Sequence, residues 1–206
     1  MTTITLTGLY DTFDAATRTV RDLEAISIPS SDISIVAYPD DDPVVSAETE
    51  SGAATGAEVG ASAGLVLGGG AGLLAGLGIL AIPGVGPVVA AGWLIAAATG
   101  ALAGAGAGGA AGGLIGSLTS SGVSDEHANF YAEGVRRGGA LVTARVEQAL
   151  VDTAEAIMQR HGRIDPATRG KVYHDGGWRG FDAASPPLAP ADIARERALV
   201  PYNPPI

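Results

Sequence analysis

The sequence predicts an α+β fold: a small sheet domain, split by a long Gly/Ala-rich helical hairpin and followed by an extended C-terminal arm. Three observations predict it. Strand-period and helix-period segments alternate at 1–38 and again at 124–164. The stretch from Val59 to Ser124 holds no ionisable side chain. Seven of the 12 prolines fall after Asp165, where regular periodicity fades.

In order along the chain, Thr3–Tyr10 sets Ile4, Leu6 and Gly8 against threonines, the period-two pattern of a half-buried strand. Asp11 or Thr12 supplies a helix N-cap, with Asp14 in the first turn. Ala16, Val20, Leu23 and Ile26 form the apolar stripe of that helix, which Pro29 closes. Asp32–Tyr38 reads as a second strand, and a parallel pairing of the two would require a right-handed crossover. Residues 39–58 form an acidic linker carrying Asp40, Asp41, Asp42, Glu48, Glu50 and Glu58. After the charge-free tract, Ser124 caps a helix with Asp125 and Glu126 in its first turn, and Gly138-Gly139 ends it. Ala140–Val146 suits a strand. Glu147–His161 follows as a helix with Leu150, Ala154, Ile157 and Met158 on one side, ended by Gly162. These pieces compose a β-α-β and α-β-α sheet domain related to the ferredoxin-like arrangement.

The tract at 59–123 breaks at IPGVGP (Ile82–Pro87), a strong turn signal that predicts a helical hairpin with arms near 57–81 and 88–118. Glycines recur at every fourth residue in both arms: Gly52, Gly56, Gly60, Gly64, Gly68, Gly72 and Gly76, then Gly92, Gly100, Gly104, Gly108, Gly112 and Gly116, with Ala96 in the same register. Each helix-interior glycine costs roughly 1 kcal/mol against Ala, so close backbone approach to neighbouring helices must offset the series. A step of four drifts about 40° around a helix, so one straight partner cannot cover the ladder. The extra neighbours must come from the rest of the fold or from other copies of the chain, and the expected partner is the chain itself in a large homo-oligomer. Lipid is a second candidate partner, because each arm exceeds the ~20 residues a bilayer span needs. Leu65, Leu67, Leu73, Leu74, Leu77, Leu80, Trp93, Leu94 and Ile95 gather at the turn end, a tip suited to partial insertion. Against a full span, Ala101–Gly113 offers little large apolar surface, and the flanks carry almost no Lys or Arg.

Other chemistries are weakly supported. A net charge of −10 argues against nucleic acid. With no Cys there is no disulfide and no thiolate metal site. Gly104–Gly109 satisfies G-x-G-x-x-G, but without the preceding strand and downstream acid that a dinucleotide site needs. His127, His161 and His174 share no ligand spacing, the acidic linker lacks the alternation of a calcium loop, and Ser120, Ser121 and Ser124 have no nucleophile elbow. No catalytic, cofactor or metal residue is expected, no small-molecule substrate, and no enzymatic activity. The N-terminus, MTTITLTGLYD, has neither a basic nor an apolar leader region, so a cytoplasmic location is expected, with membrane association as the alternative.

The arm at 165–206 draws its interest from Tyr173, Trp178, Phe181 and Tyr202. Arg160–Gly180 is basic (Arg160, Arg163, Arg169, Lys171 and Arg179 against Asp165 and Asp175), whereas residues 1–58 are strongly acidic. The arm is read as lying across a neighbour's acidic face, anchored by Trp178 and Phe181 and latched by Tyr202 in PYNPPI. Folding back onto its own domain carries equal weight.

The order of parts resembles the heat-induced general stress protein domain of bacteria. The elements that carry the resemblance are the PG-x-GP turn, the helix with Tyr131 and Glu133 leading into Gly138-Gly139, and the strand after it. It spans about Thr3–Gly162. It implies a stress-associated, non-enzymatic protein, and it transfers no catalytic residue.

Overall fold

The computed structural model describes residues 3–38, 77–82, 85–95, 109–186 and 188–199. The acidic linker, the ladder from Gly52 to Gly76, Gly100, Gly104, Gly108 and the Tyr202 latch lie outside the described residues.

The protein is α+β. Its strands are β1 (Thr3–Tyr10), β2 (Ile33–Ala37), β3 (Gly78–Ile82), β4 (Gly86–Gly92) and β5 (Ala140–Glu147). They form a five-stranded sheet in the order β1-β5-β2-β4-β3. Every neighbouring pair is antiparallel. β1 and β2 therefore run parallel to each other on either side of β5, joined by helix α1 (Phe13–Ala25) in a split β-α-β unit. Thr12, not Asp11, caps α1, its hydroxyl accepting from the Ala15 amide at 3.2 Å. The remaining helices are α2 (Gly109–Ser120), α3 (Asp125–Arg136), α4 (Val151–Arg160), α5 (Pro166–Asp175) and α6 (Pro190–Leu199). Ser124 caps α3 as expected, accepting from the His127 amide at 3.3 Å.

Two apolar layers sandwich the sheet. On one face, Val20 and Leu23 of α1 and Ile157 and Met158 of α4 close over Leu6, Ile35 and Val142. On the other, Leu114 and Leu118 of α2, Phe130 and Val135 of α3 and Tyr173 of α5 meet Leu9, Val36 and Leu141. Gly134 lets α3 reach β1, for a Cβ there would lie 2.3 Å from Leu9 Cδ2.

Beside the turn the structure corrects the helical hairpin; residues 57–76 and 96–108 of its two arms lie outside the described residues. The turn is where IPGVGP puts it, with the Val85 amide donating to the Ile82 carbonyl at 3.0 Å. The segments beside that turn are strands, and β3 and β4 extend the main sheet instead of forming a separate 59–123 unit. Val88 and Val89 are β-branched and favour the pleat, and β4 supplies the ladder partner that the β2 edge otherwise lacks. Gly92 is accordingly not a helix-packing glycine. Its φ is +98°, and a Cβ would stand 2.2 Å from the Ile33 carbonyl oxygen, so β4 and β2 touch there backbone to backbone. Residues 93–95 are helical and α2 holds Gly112 and Gly116; Gly116 is exposed with nothing within 4 Å of an added Cβ. Of the apolar tip, Leu65, Leu67, Leu73 and Leu74 lie outside the described residues, whereas Leu94 is buried in the second layer and Leu77, Trp93 and Ile95 are partly buried.

The extended arm is also corrected. Residues after Asp165 form α5 and α6, and α5 packs on its own domain. Its cap is Asp165, whose carboxylate accepts from the Thr168 hydroxyl and amide and is held below the usual carboxylate pKa by those two hydrogen bonds.

Burial pushes the Tyr10 hydroxyl up to about 12, against the pull of the Arg163 charge. Burial also raises Tyr131 and Tyr173. A raised acid pKa means that the folded state holds its proton more tightly than the unfolded chain. The tyrosine contribution to stability is therefore level below pH 10 and falls as the pH rises from there to about 12. Tyr10→Phe should remove roughly 2–3 kcal/mol of that alkaline loss, read from urea midpoints measured across the pH range.

Candidate functional site

The feature with the most concentrated chemistry is the seam where α5 docks on α3. On α3, Glu133 is 1% exposed, and it is flanked at helical spacing by Arg136 and Arg137. Arg137 Nε donates to Glu133 Oε1 at 2.7 Å, and Arg136 Nη1 reaches Oε2 at 3.4 Å. The same two arginines hold the arm. The Arg137 guanidinium lies 4.5 Å from the centre of the Tyr173 ring, and Arg136 Nη2 donates to the Pro186 carbonyl at 3.1 Å. Tyr173 stacks on Phe130 with centroids 5.6 Å apart and meets Trp178 edge-on at 6.0 Å.

A second tie joins the arm to the acidic N-terminal half. Arg169 grips Asp11 with two parallel hydrogen bonds, 2.8 and 3.1 Å long. Burial disfavours the Arg169 charge, but the hydrogen bonds and charge of Asp11 outweigh it and raise the Arg169 pKa. Beside this tie the Ile164 amide donates to the Leu9 carbonyl at 2.8 Å, and the Arg163 stem passes over Gly8. The segment leading into the arm, Arg163 and Ile164, thus closes the β1 edge of the sheet near Leu9. Arg169→Ala should leave the sheet folded yet loosen α5, costing about 1–2 kcal/mol for a half-buried bidentate pair. The check is faster proteolytic cleavage within 165–186 at an unchanged far-UV spectrum.

The arm anchors Trp178 and Phe181 are half-buried against this chain's own second layer. The basic-to-acidic attraction expected between copies is realised within one chain, through Arg169 and Asp11. The seam was only partly legible in the sequence. Glu133 followed three and four residues later by Arg136 and Arg137 is a readable helical ion-pair spacing, but nothing local says that the carboxylate is buried or that Tyr173 comes to it.

A second cluster lies at the polar end of the same sheet face. Cross-strand register places Thr7, Thr143, Ser34 and Gly92 in one row across four strands. Ser34 donates to the Ala91 carbonyl, while the buried hydroxyls of Thr7 and Thr143 have no hydrogen-bond partner. Beyond the row, Arg145 lies over Trp93 with its guanidinium 4.6 Å from the ring centre and pairs with Asp32 at 3.0 Å. Trp93 Nε1 donates to the Asp32 carbonyl. This cluster ties β5, β2 and β4 together. Because the Thr143 hydroxyl is fully buried without a partner, Thr143→Val should stabilise the fold by about 1 kcal/mol, seen as a higher urea midpoint.

Of the expected sites, Gly92 and Gly116 are brought to no common surface. His127, His161 and His174 stay apart: His161 Nε2 lies 2.8 Å from Asp22, and His174 Nδ1 2.9 Å from the Trp178 carbonyl. Among the described residues no group of three His, Asp or Glu side chains is placed to hold a metal ion. Comparison with family models, with curated proteins and with solved structures gives no match.

Proposed function

We propose that the protein is a non-enzymatic structural component, stress-associated as its resemblance implies, that self-assembles into a large homo-oligomer through its glycine-rich tract. The observation that carries this reading is the tract itself. From Val59 to Ser124 the chain has no ionisable side chain, yet it carries a four-residue glycine ladder from Gly60 to Gly76. Both faces of the sheet already have their apolar cover from α1 and α4 on one side and α2, α3 and α5 on the other. Small uncharged residues in series suit packing between chains.

The test is native size by light scattering, with and without detergent. Self-assembly predicts a large particle without detergent, and Gly68→Leu with Gly72→Leu should break it into smaller species. A particle of unchanged size in that double variant overturns the reading. The rival, a membrane-inserted hairpin modulating the envelope under stress, has less support. Among the described residues no helix is long and apolar enough to cross a membrane, and Ile82 and Val85 at the turn are buried. Carbonate-resistant pelleting with membranes would favour it.

A further inference from the structure

We propose that two copies of the chain join edge to edge through β3, antiparallel about a twofold axis at Leu80, to make one continuous sheet of both molecules. The proposal rests on the self-assembly reading and names the first contact within it.

Among the described residues β3 pairs with β4 alone, so alternate residues of β3 turn their amides and carbonyls outward from the sheet. Soluble sheets protect such an edge with charge, proline or a bulge. β3 reads Gly-Ile-Leu-Ala-Ile and carries no charge and no proline, and its register with β4 runs unbroken from Gly78↔Ala90 to Ile82↔Gly86. The opposite edge is treated differently. There β1 has its Leu9 carbonyl taken by the Ile164 amide and the Arg163 stem laid over Gly8. A head-to-tail β3-to-β1 chain of copies meets that obstruction, whereas β3 meeting β3 does not.

The choice of a second copy as partner follows from composition and length. β3 lies inside the charge-free stretch, where the net charge of −10 opposes approach least. A charged partner strand would bring unpaired charge against an apolar edge. With five residues, a twofold axis at Leu80 is the register that pairs all of β3, setting Gly78 opposite Ile82, Ile79 opposite Ala81, and Leu80 opposite itself.

Self-opposed residues in an antiparallel ladder have Cα atoms about 4.5 or 5.5 Å apart, within the ~4.4–6.8 Å range of disulfides. The chain has no cysteine, so Leu80→Cys introduces a single thiol. Mild oxidation should convert the Leu80→Cys chain into a reducible covalent dimer with loss of the monomer band, while Gly116→Cys, at the exposed α2 position, stays monomeric. A Leu80→Cys chain that stays monomeric overturns the proposal, whether its thiol reacts freely with a small reagent or is shielded by the same chain. Light scattering separates the two levels. Failed cross-linking in a large particle sinks edge pairing and spares self-assembly, and failed cross-linking in a monomer sinks both. If Leu80→Cys does not fold, hydrogen exchange on the unaltered chain reads the same edge. β3 amide protection should rise with protein concentration, and protection independent of concentration overturns the proposal.

Discussion

Gly92→Ala will cost about 4 kcal/mol and detach β4 from β2. The sum has two parts. A non-glycine residue held at a φ of +98° is strained, by roughly 1–2 kcal/mol for an alanine. The new methyl would also stand 2.2 Å from the Ile33 carbonyl oxygen and 2.7 Å from Ser34 Cα. Those are backbone atoms, which cannot rotate aside as a side chain does, so the pairing Ser34↔Gly92 must open, adding roughly 2–3 kcal/mol. For a domain of this size, a loss of about 4 kcal/mol lowers the melting temperature by roughly 10 °C. Calorimetry on Gly92→Ala checks the value, with Gly116→Ala as the contrast. Gly116 has open space around it and sits in a helix, so that change should be neutral or slightly stabilising. A Gly92→Ala protein as stable as the parent would refute the close β2–β4 contact.

Glu133→Leu is the second large effect, a loss of about 3 kcal/mol. The carboxylate is 1% exposed, and it holds Arg136 and Arg137, whose side chains are 16% and 21% exposed. Removing one member of a buried ion pair leaves its partners charged and incompletely solvated, which costs more than the pair was worth. Partial access of water to the two arginines keeps the loss at the lower end of that class. Because Arg137 also lies over Tyr173 and Arg136 bonds the Pro186 carbonyl, the same variant should free the arm, raising cleavage within 165–186 as Arg169→Ala does. Glu133→Gln, which keeps an acceptor but no charge, should fall between. Equal urea midpoints for Glu133→Leu and the parent would refute the buried ion pairing of Glu133 with Arg136 and Arg137.

Legibility followed locality. The caps at Thr12 and Ser124, the stripe of Val20 and Leu23, and the glycine stops at Gly138 and Gly162 all came from neighbours within about four positions. All of them occupy the places that the pattern assigns. Beside the turn, at 78–82 and 86–92, the helical reading failed for a related reason. Glycine has no side chain to declare a face, so spacing by four in a Gly/Ala tract does not discriminate between a helix and strands bordered by glycines. The valines at 88 and 89 were the available strand signal, and the regular glycine step outweighed them. The arm misled in a similar way. Proline density reads as extended chain, but Pro166 sits in the first turn of α5 after the Asp165 cap, where its missing amide costs nothing.

By itself, the sequence determined that an α+β domain flanks an uncharged tract, where helices α1 and α3 begin and end, and that the chain turns at IPGVGP. Those are settled by side chains acting on backbone a few residues away. Only the tertiary structure decided that the segments beside the turn are strands, that Glu133 is buried, that Ile164 bonds Leu9 and that the arm folds back onto Asp11. In each case the stabilising group (the β2 ladder, the Tyr173 ring, the Leu9 carbonyl) is remote in sequence, and no local pattern announces a partner that only folding brings near.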